Sequence, residues 1–197
     1  MGLTNTESRD GFERQVQVLV GLTLDSVDYW DLHNFGDEPV RWDYGTWHHA
    51  VMGAQLNTSQ GPFSVVWTSR FFPYGVEVFR SPITSLLAMG EYGPERVGPD
   101  GKTQWAGYFG RPITGASTNW SILELGPSVT SDGRVVEPSR VVELPTAIRL
   151  DLPTGSVWFV AALPNYPDMT EFSVPGDEIL VVFDAGAVRS IGVDPWF

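Results

Sequence analysis

Apolar and polar residues alternate along most of this chain with a period of two residues, the spacing of a β-strand with one buried face. The first such row lies in QVQVLVGLTLDSVDYW and comprises Val16, Val18, Val20, Leu22 and Leu24. Successive side chains of a strand point to opposite faces of a sheet. This row therefore predicts a strand that begins near Gln15.

A second row lies in AIRLDLPTG, where Ile148, Leu150 and Leu152 alternate with Arg149 and Asp151. A turn at PTG follows it, and GSVWFVAAL and DEILVVFD indicate short, largely buried strands. Glycine (21) and proline (15) are spread through the chain and divide it into many short elements. The predicted fold is mainly β: two packed antiparallel sheets or a distorted barrel, with one or two short helices.

One segment has helical signals. In SPITSLLAMGEYG, Ser81 suits an N-cap, Pro82 the first helical position and Gly90 the residue that ends a helix. A helix of barely two turns is expected there.

The predicted domain organisation is a flexible tail over residues 1–11 followed by a single β-rich domain over 12–197. A loop over 91–104 would join two halves, 12–90 and 105–197. Both halves contain a strand, a glycine turn at Gly61 or Gly155, and a second strand. This echo suggests a pseudo-duplication, although any two β-hairpins share such features.

The formal charge is −12, from 24 acidic and 12 basic residues. Nucleic-acid binding needs a basic face, and anionic membranes repel an acidic surface, so neither partner is expected. An acidic protein favours basic partners, although the charge can also serve only solubility.

The chain has no cysteine, which excludes disulfides and thiolate chemistry and is compatible with a reducing compartment. No apolar run approaches the roughly 18 residues of a membrane span, and MGLTNTESRDGFERQ has no signal-peptide core. A cytoplasmic location without cofactors is the expectation.

Two adjacent histidines in WDYGTWHHAV raise the question of a metal site. On a strand, His48 shares a face with Ala50, while His49 shares the opposite face with Trp47. Together with His33 they are only weak metal candidates, because adjacent residues of a strand diverge. The simpler expectation is a partly buried, hydrogen-bonded His48 and a His49 at an edge or on the surface.

The run from Asp25 to Asp43 combines acids with aromatic rings, as protein interfaces and glycoside sites do. We select as partner-binding candidates Asp25, Asp28, Asp31, Asp37, Glu38, Trp30 and Trp42. The alternative is a solvated loop whose aromatic rings pack into the core. No carboxylate pair is marked for glycoside chemistry, and no catalytic motif is present, so no catalytic residue is assigned.

GPFSVVWTS followed by YGVEVF, and PDMTEFSVPGDEILVVF near the C-terminus, resemble segments of small bacterial β-rich proteins, some of them similar to immunity proteins of polymorphic toxin systems. The resemblance touches about a quarter of the chain and transfers no active-site residues. It implies a stand-alone protein binder that neutralises a toxin.

The sequence therefore favours a non-enzymatic protein-binding protein, in its narrowest form an immunity-type inhibitor of a basic toxin. Two other functions stay open. One is a carbohydrate-binding or glycan-processing β protein that uses tryptophan platforms, and the other is a structural or oligomeric β protein.

Overall fold

The computed structural model describes residues 5–32, 41–87 and 93–197 and has a mainly β fold, as predicted. Its strands are β1 Thr23–Leu32, β2 Trp47–Val51, β3 Gly53–Thr58, β4 Gly61–Thr68, β5 Gly75–Phe79, β6 Pro94–Gly98, β7 Arg111–Pro112, β8 Gly115–Leu125, β9 Ser128–Val129, β10 Val135–Glu137, β11 Arg140–Leu152, β12 Gly155–Ala161, β13 Leu163–Pro164, β14 Phe172–Ser173 and β15 Ile179–Val182. The helices are α1 Asn5–Gln17 and α2 Ala185–Ile191, with short 3-10 turns at Ile83–Ser85 and Gln104–Gly107. None of the helices described has the length and apolar character needed to cross a bilayer.

Most strands form one large sheet in the order β5-β4-β3-β1-β2-β15-β12-β11-β8, with β6 and β7 also paired to β1. The strands β9 and β10, and β13 and β14, form two small sheets. The large sheet curls, because β5 at one end of the order lies against β11 near the other end. Its two parts meet at β1 and β2, which share a single register pair, Trp30 with Val51.

The alternating row of β11 faces the core as the sequence predicts. Ile148 pairs with Phe159 and Leu150 pairs with Val157, and all four side chains lie in the main core cluster. This cluster fills the inside of the curled sheet. A second cluster, which includes Trp158, lies on the outer face of β12 and β15 and is covered by α2.

The predicted strand that begins near Gln15 is wrong at its start. Helix α1 extends to Gln17, a turn follows, and β1 begins only at Thr23. Val18 and Val20 are 46% and 39% exposed, so they do not join a buried row. Residues 5–11 of the predicted tail belong to the same helix.

Helix α1 closes the gap between the two end strands of the sheet. The Gln15 amide donates to the carbonyl of Val78 on β5, and the Gln17 amide donates to the carbonyl of Ala116 on β8 at 2.6 Å. Phe12, which is 2% exposed, enters the main core. The helix therefore completes the wall of the core where the sheet itself is open.

The predicted helix over 81–90 is a single 3-10 turn, Ile83–Ser85, and its first flanking residue is Pro82 rather than Ser81. The predicted stop, Gly90, lies outside the described residues. The predicted loop over 91–104 contains β6, which pairs with β1, so much of it is part of the sheet. Because β2 pairs with β15, strands from both predicted halves share one sheet, and the duplication stays a prediction.

Candidate binding surface

Strand β2 places the two adjacent histidines on opposite faces of the sheet, as the alternation predicts. His48 lies opposite Val181, a residue of the main core, and His49 lies opposite Leu180, a residue of the second cluster. His48 is fully buried and His49 is 2% exposed. The prediction that His49 lies at an edge or on the surface is therefore wrong.

His48 belongs to a chain of hydrogen bonds in the core. Its Nδ1 lies 2.7 Å from the hydroxyl of Tyr29, and its Nε2 lies 2.7 Å from Oε1 of Gln104. The indole Nε1 of Trp105 donates to the Tyr29 hydroxyl at 2.5 Å, and the Gln104 amide donates to the carbonyl of Gly45. Because Gln104 Oε1 can only accept, we assign the proton to Nε2 of His48, and its Nδ1 then accepts from Tyr29.

Burial determines the protonation of this network. It lowers the pKa of His48 below the usual 6.5, an effect that the hydrogen bond to Gln104 and the charge of Asp43 oppose. Burial also raises the pKa of Tyr29 well above 10. Both side chains are therefore neutral at neutral pH, and both ring nitrogens of His48 are already bound to protein groups.

The other histidine is held by a carboxylate. The Nε2 of His49 lies 2.7 Å from Oε2 of Glu178, and the Tyr166 hydroxyl donates to the same carboxylate at 3.1 Å. Asp31 is 5% exposed and accepts from the backbone N–H of Leu32 at 2.7 Å. Burial raises the pKa of Asp31, while the nearby His49 lowers it and Glu178 raises it.

Both histidines are enclosed by protein groups in the part of the chain that the structure describes. Among the residues that the structure describes, no group of three or more histidine, aspartate or glutamate side chains could hold a metal ion. His33, the third weak candidate, lies outside the described residues. Burial and these hydrogen bonds give both His48 and His49 a role in the packing of β2.

The predicted acidic run does not form one exposed surface in the part described. Asp25 is exposed, but Asp28 accepts from Arg96 Nε at 2.6 Å and from the amide of Asn57 at 2.8 Å. Asp31 is buried and contributes no exposed charge. The candidates Asp37 and Glu38 lie outside the described residues.

The two tryptophans selected from this run are partly buried. Trp42 packs edge-to-face against His48 with ring centroids 5.0 Å apart, and a Cβ at Gly98 would come within 2.9 Å of its ring. Trp30 is half-buried, and its buried indole N–H has no hydrogen-bond partner among the described residues.

Two further tryptophans that border loops are buried. Trp47 and Trp105 are 6% and 0% exposed, which excludes them from a binding face. Of all eight tryptophans, only Trp196 is exposed, at 65%. A surface platform built from several tryptophans is therefore absent, since all eight lie in the described ranges.

Within the described residues, the most exposed aliphatic side chains lie on a segment that sequence reasoning did not select, which we call the β arm, residues 122–141. It consists of the distal ends of β8 and β11 and the small hairpin of β9 and β10. Five aliphatic side chains on the arm are each more than half exposed: Ile122 74%, Val129 56%, Val135 56%, Val136 59% and Val141 63%. Their short alternating pattern resembles that of any strand, so the sequence alone does not show that no core covers them.

The base of the β arm is attached to the body of the protein. The guanidinium of Arg140 lies over the ring of Phe72 at 5.1 Å from its centroid, and Arg9 forms an ion pair with Glu143 beside the arm. An open groove of about 490 Å³ runs along the arm where Glu124 and Val141 lie opposite each other. The arm therefore presents its apolar residues from a fixed base.

A second group of exposed acidic and apolar side chains lies near the C-terminal part of the chain. In the segment over 163–178, Leu163 and Tyr166 are 40% and 56% exposed, and Asp168 and Glu171 are exposed beside them. Hydrogen bonds hold this segment on the sheet: Tyr166 bonds to Glu178, and Glu178 bonds to His49. The sequence YPDMTE combines acidic and aromatic residues, as the run from Asp25 to Asp43 does.

Comparison of the chain with protein-family models, with curated proteins and with solved structures finds no match.

Proposed function

We propose that this chain is a non-enzymatic protein-binding protein and that the β arm is its contact surface. The observation that carries the proposal is the set of five aliphatic side chains that project on the arm without a covering layer in the described structure. Single exposed aliphatic residues are ordinary on protein surfaces. Several of them on one projecting element are typical of interaction sites.

The arm also has the right physical character for binding. Val129 and Val135 form a cross-strand pair, so their side chains share one face of the β9–β10 hairpin. Valine and isoleucine have restricted side-chain rotation, so burying them costs little conformational entropy. A two-stranded hairpin is only marginally stable alone, and a partner that covers its valines would stabilise it.

Charge supports a basic partner. The net charge of −12 would attract a basic protein over distance and speed its encounter with the arm. An immunity-type inhibitor that blocks a basic toxin is the narrower form of this proposal, with steric blockade as its mechanism. A cytoplasmic location belongs to the proposal as well, since a chain without cysteine suits a reducing compartment.

The carbohydrate alternative has less support. Sugar-binding faces stack aromatic rings on the ligand, and the exposed Trp196 stands beside Arg149 rather than beside a second exposed tryptophan. The oligomeric alternative concerns the same arm, because a second copy could cover it, and the experiment below separates the two.

The test compares two matched valine-to-threonine variants in the native cells. The arm variant carries Val129→Thr and Val135→Thr, and the control variant carries Val18→Thr and Val20→Thr, which are also exposed. Threonine keeps the branched shape and the strand preference while it adds a hydroxyl. Each tagged protein is isolated with its bound proteins, which are identified by mass spectrometry.

A protein that is retained by the wild type and by the control, but lost from the arm variant, supports the proposal. We expect the loss in affinity to be at least about tenfold. Retention of every partner by a folded arm variant would refute it. Recovery of only further copies of the same chain would favour the oligomeric alternative instead.

A further inference from the structure

The last strand of the large sheet has an edge that is only partly covered. β8 pairs with β11 on one side, and among the described residues no strand pairs with its other side. Helix α1 covers the first part of this edge, where Gln17 bonds to Ala116 and Glu13 accepts from the indole of Trp120 at 2.6 Å. The last residues of β8, over 121–125, lie beyond these contacts.

The direction of the backbone groups follows from the contact at Ala116. Its carbonyl points away from β11, because it accepts from α1 on the open side. Backbone groups of a strand alternate between its two sides. The register shift in this ladder adds a residue to β11 and none to β8, so the even-numbered residues of β8 direct their N–H and C=O groups to the open edge. Ile122 and Glu124 therefore present two N–H groups and two C=O groups to a strand that could pair there.

The side chains beside this edge form a mixed pattern. Ile122 lies opposite Glu143, and Glu124 lies opposite Val141, so aliphatic and acidic residues alternate on one face. Glu143 is already paired with Arg9. Glu124 is exposed and has no ion pair within the described part of the chain.

We propose that the partner adds a β-strand to the open edge of β8, with an apolar residue beside Ile122 and an arginine or lysine beside Glu124. This inference rests on the proposed function and names how the β arm holds its partner. Main-chain bonds would supply affinity, and the alternating side chains would supply selectivity. Exposed edges in other proteins are protected by charged side chains, especially lysine, by proline or by a bulge, and of these residues 121–125 contain only the single charge of Glu124.

Charge argues for a different protein rather than a second copy as the occupant. Two β8 edges paired symmetrically would bring two copies of Glu124 either directly opposite each other or onto a diagonal, each on a chain with a net charge of −12. Like charges that face each other across paired strands are destabilising. A strand with basic residues has the opposite effect at the same position.

The experiment uses a short fluorescent peptide of alternating valine and arginine with threonine at each end. Its control has the same side chains, with alternate backbone nitrogens methylated so that they cannot donate. Charge and side chains are equal in both, and the added methyl groups make the control more apolar, so weaker binding of the control reports the loss of backbone pairing. We expect the methylated peptide to bind the full chain at least about tenfold more weakly.

Variants of the chain test the position of the site. Glu124→Pro removes an outward N–H without removing a bond to β11, and proline is tolerated at such edge positions. We expect it to weaken binding of the unmodified peptide at least about tenfold, and Glu124→Gln to weaken it about threefold. Glu171→Gln removes the charge of another exposed glutamate, outside the arm, and should leave binding unchanged.

Equal binding of the two peptides, or undiminished binding by a folded Glu124→Pro protein, would overturn the strand-addition proposal. So would a wild-type dimer that Glu124→Pro converts to a monomer, because the occupant would then be a second copy. If the valine variants lose their partner while the peptides bind equally, the arm binds through side chains alone. The two proposals can therefore fail separately.

Discussion

Removal of the Tyr29 hydroxyl is the sharpest test of the buried network that fixes β2. Tyr29 is fully buried, and its hydroxyl accepts from Trp105 and donates to His48. In Tyr29→Phe the ring stays, so packing changes little. Two buried polar groups, the indole N–H of Trp105 and Nδ1 of His48, lose their only hydrogen-bond partners in the structure described.

The expected cost follows from these two groups. A buried donor or acceptor left without a partner costs about 1–3 kcal/mol, so two such groups give about 2–6 kcal/mol. That is a large part of the roughly 5–15 kcal/mol that stabilises a typical domain. The lower end applies if a water molecule enters the site that the hydroxyl leaves.

Urea unfolding monitored by tryptophan fluorescence measures this cost as a change in midpoint at constant slope. The matched control is Tyr74→Phe, because Tyr74 packs against Trp67 and its hydroxyl has no hydrogen bond within the described residues. The control should stay within about 0.5 kcal/mol of the wild type. A Tyr29→Phe protein as stable as the control would refute the network as a source of stability.

Three further predictions concern stability. Because the pKa of His48 is lower in the folded protein than the usual 6.5, the unfolded chain takes up the proton first, and stability falls as the pH drops below about 6.5. His48→Gln should therefore lose less stability than the wild type between about pH 7.5 and pH 5.5 in the same urea assay. Because the pKa of Asp31 is raised on folding, its charge opposes folding at neutral pH, so Asp31→Asn should raise the melting temperature at about pH 7. That gain should vanish below about pH 3.8, where the aspartate is neutral in both states, and its presence there would contradict the assignment. Phe12→Ala should lower the free energy of unfolding by about 3–5 kcal/mol, because its ring packs against the core. Val20→Ala, on the exposed turn, should lower it by less than about 1 kcal/mol. Equal losses in the two variants would show that α1 does not close the sheet.

The sequence predicts the fold class because most strands have one buried face. The alternation through Ile148, Leu150 and Leu152 reads directly as core positions of β11. The alternation gives the wrong element at Val16. The buried residues Phe12, Val16 and Leu19 are spaced by four and three residues, which also fits one face of a helix. A short period-two row cannot distinguish these cases when a helix and a turn follow one another.

The sequence correctly predicts that the two histidines lie on opposite faces of the sheet, because this alternation depends only on neighbouring residues of one strand. It cannot give the burial of His49 or of Trp47, which depends on the second layer formed by α2 and the segment over 163–178. The β arm escapes prediction for the same reason. Val129 and Val135 are valines in a strand pattern, and only the three-dimensional arrangement shows that no second layer covers them.

Photocrosslinking at the β arm in native cells tests the central claim most directly. A photoreactive residue in place of Val135 should form a covalent adduct with a protein of a different sequence, and the same residue in place of the exposed Val18 should not. An adduct specific to Val135 is the result that we expect. Equal adducts at both positions, or none at Val135 in a folded protein, would contradict the assignment of the β arm as the contact surface.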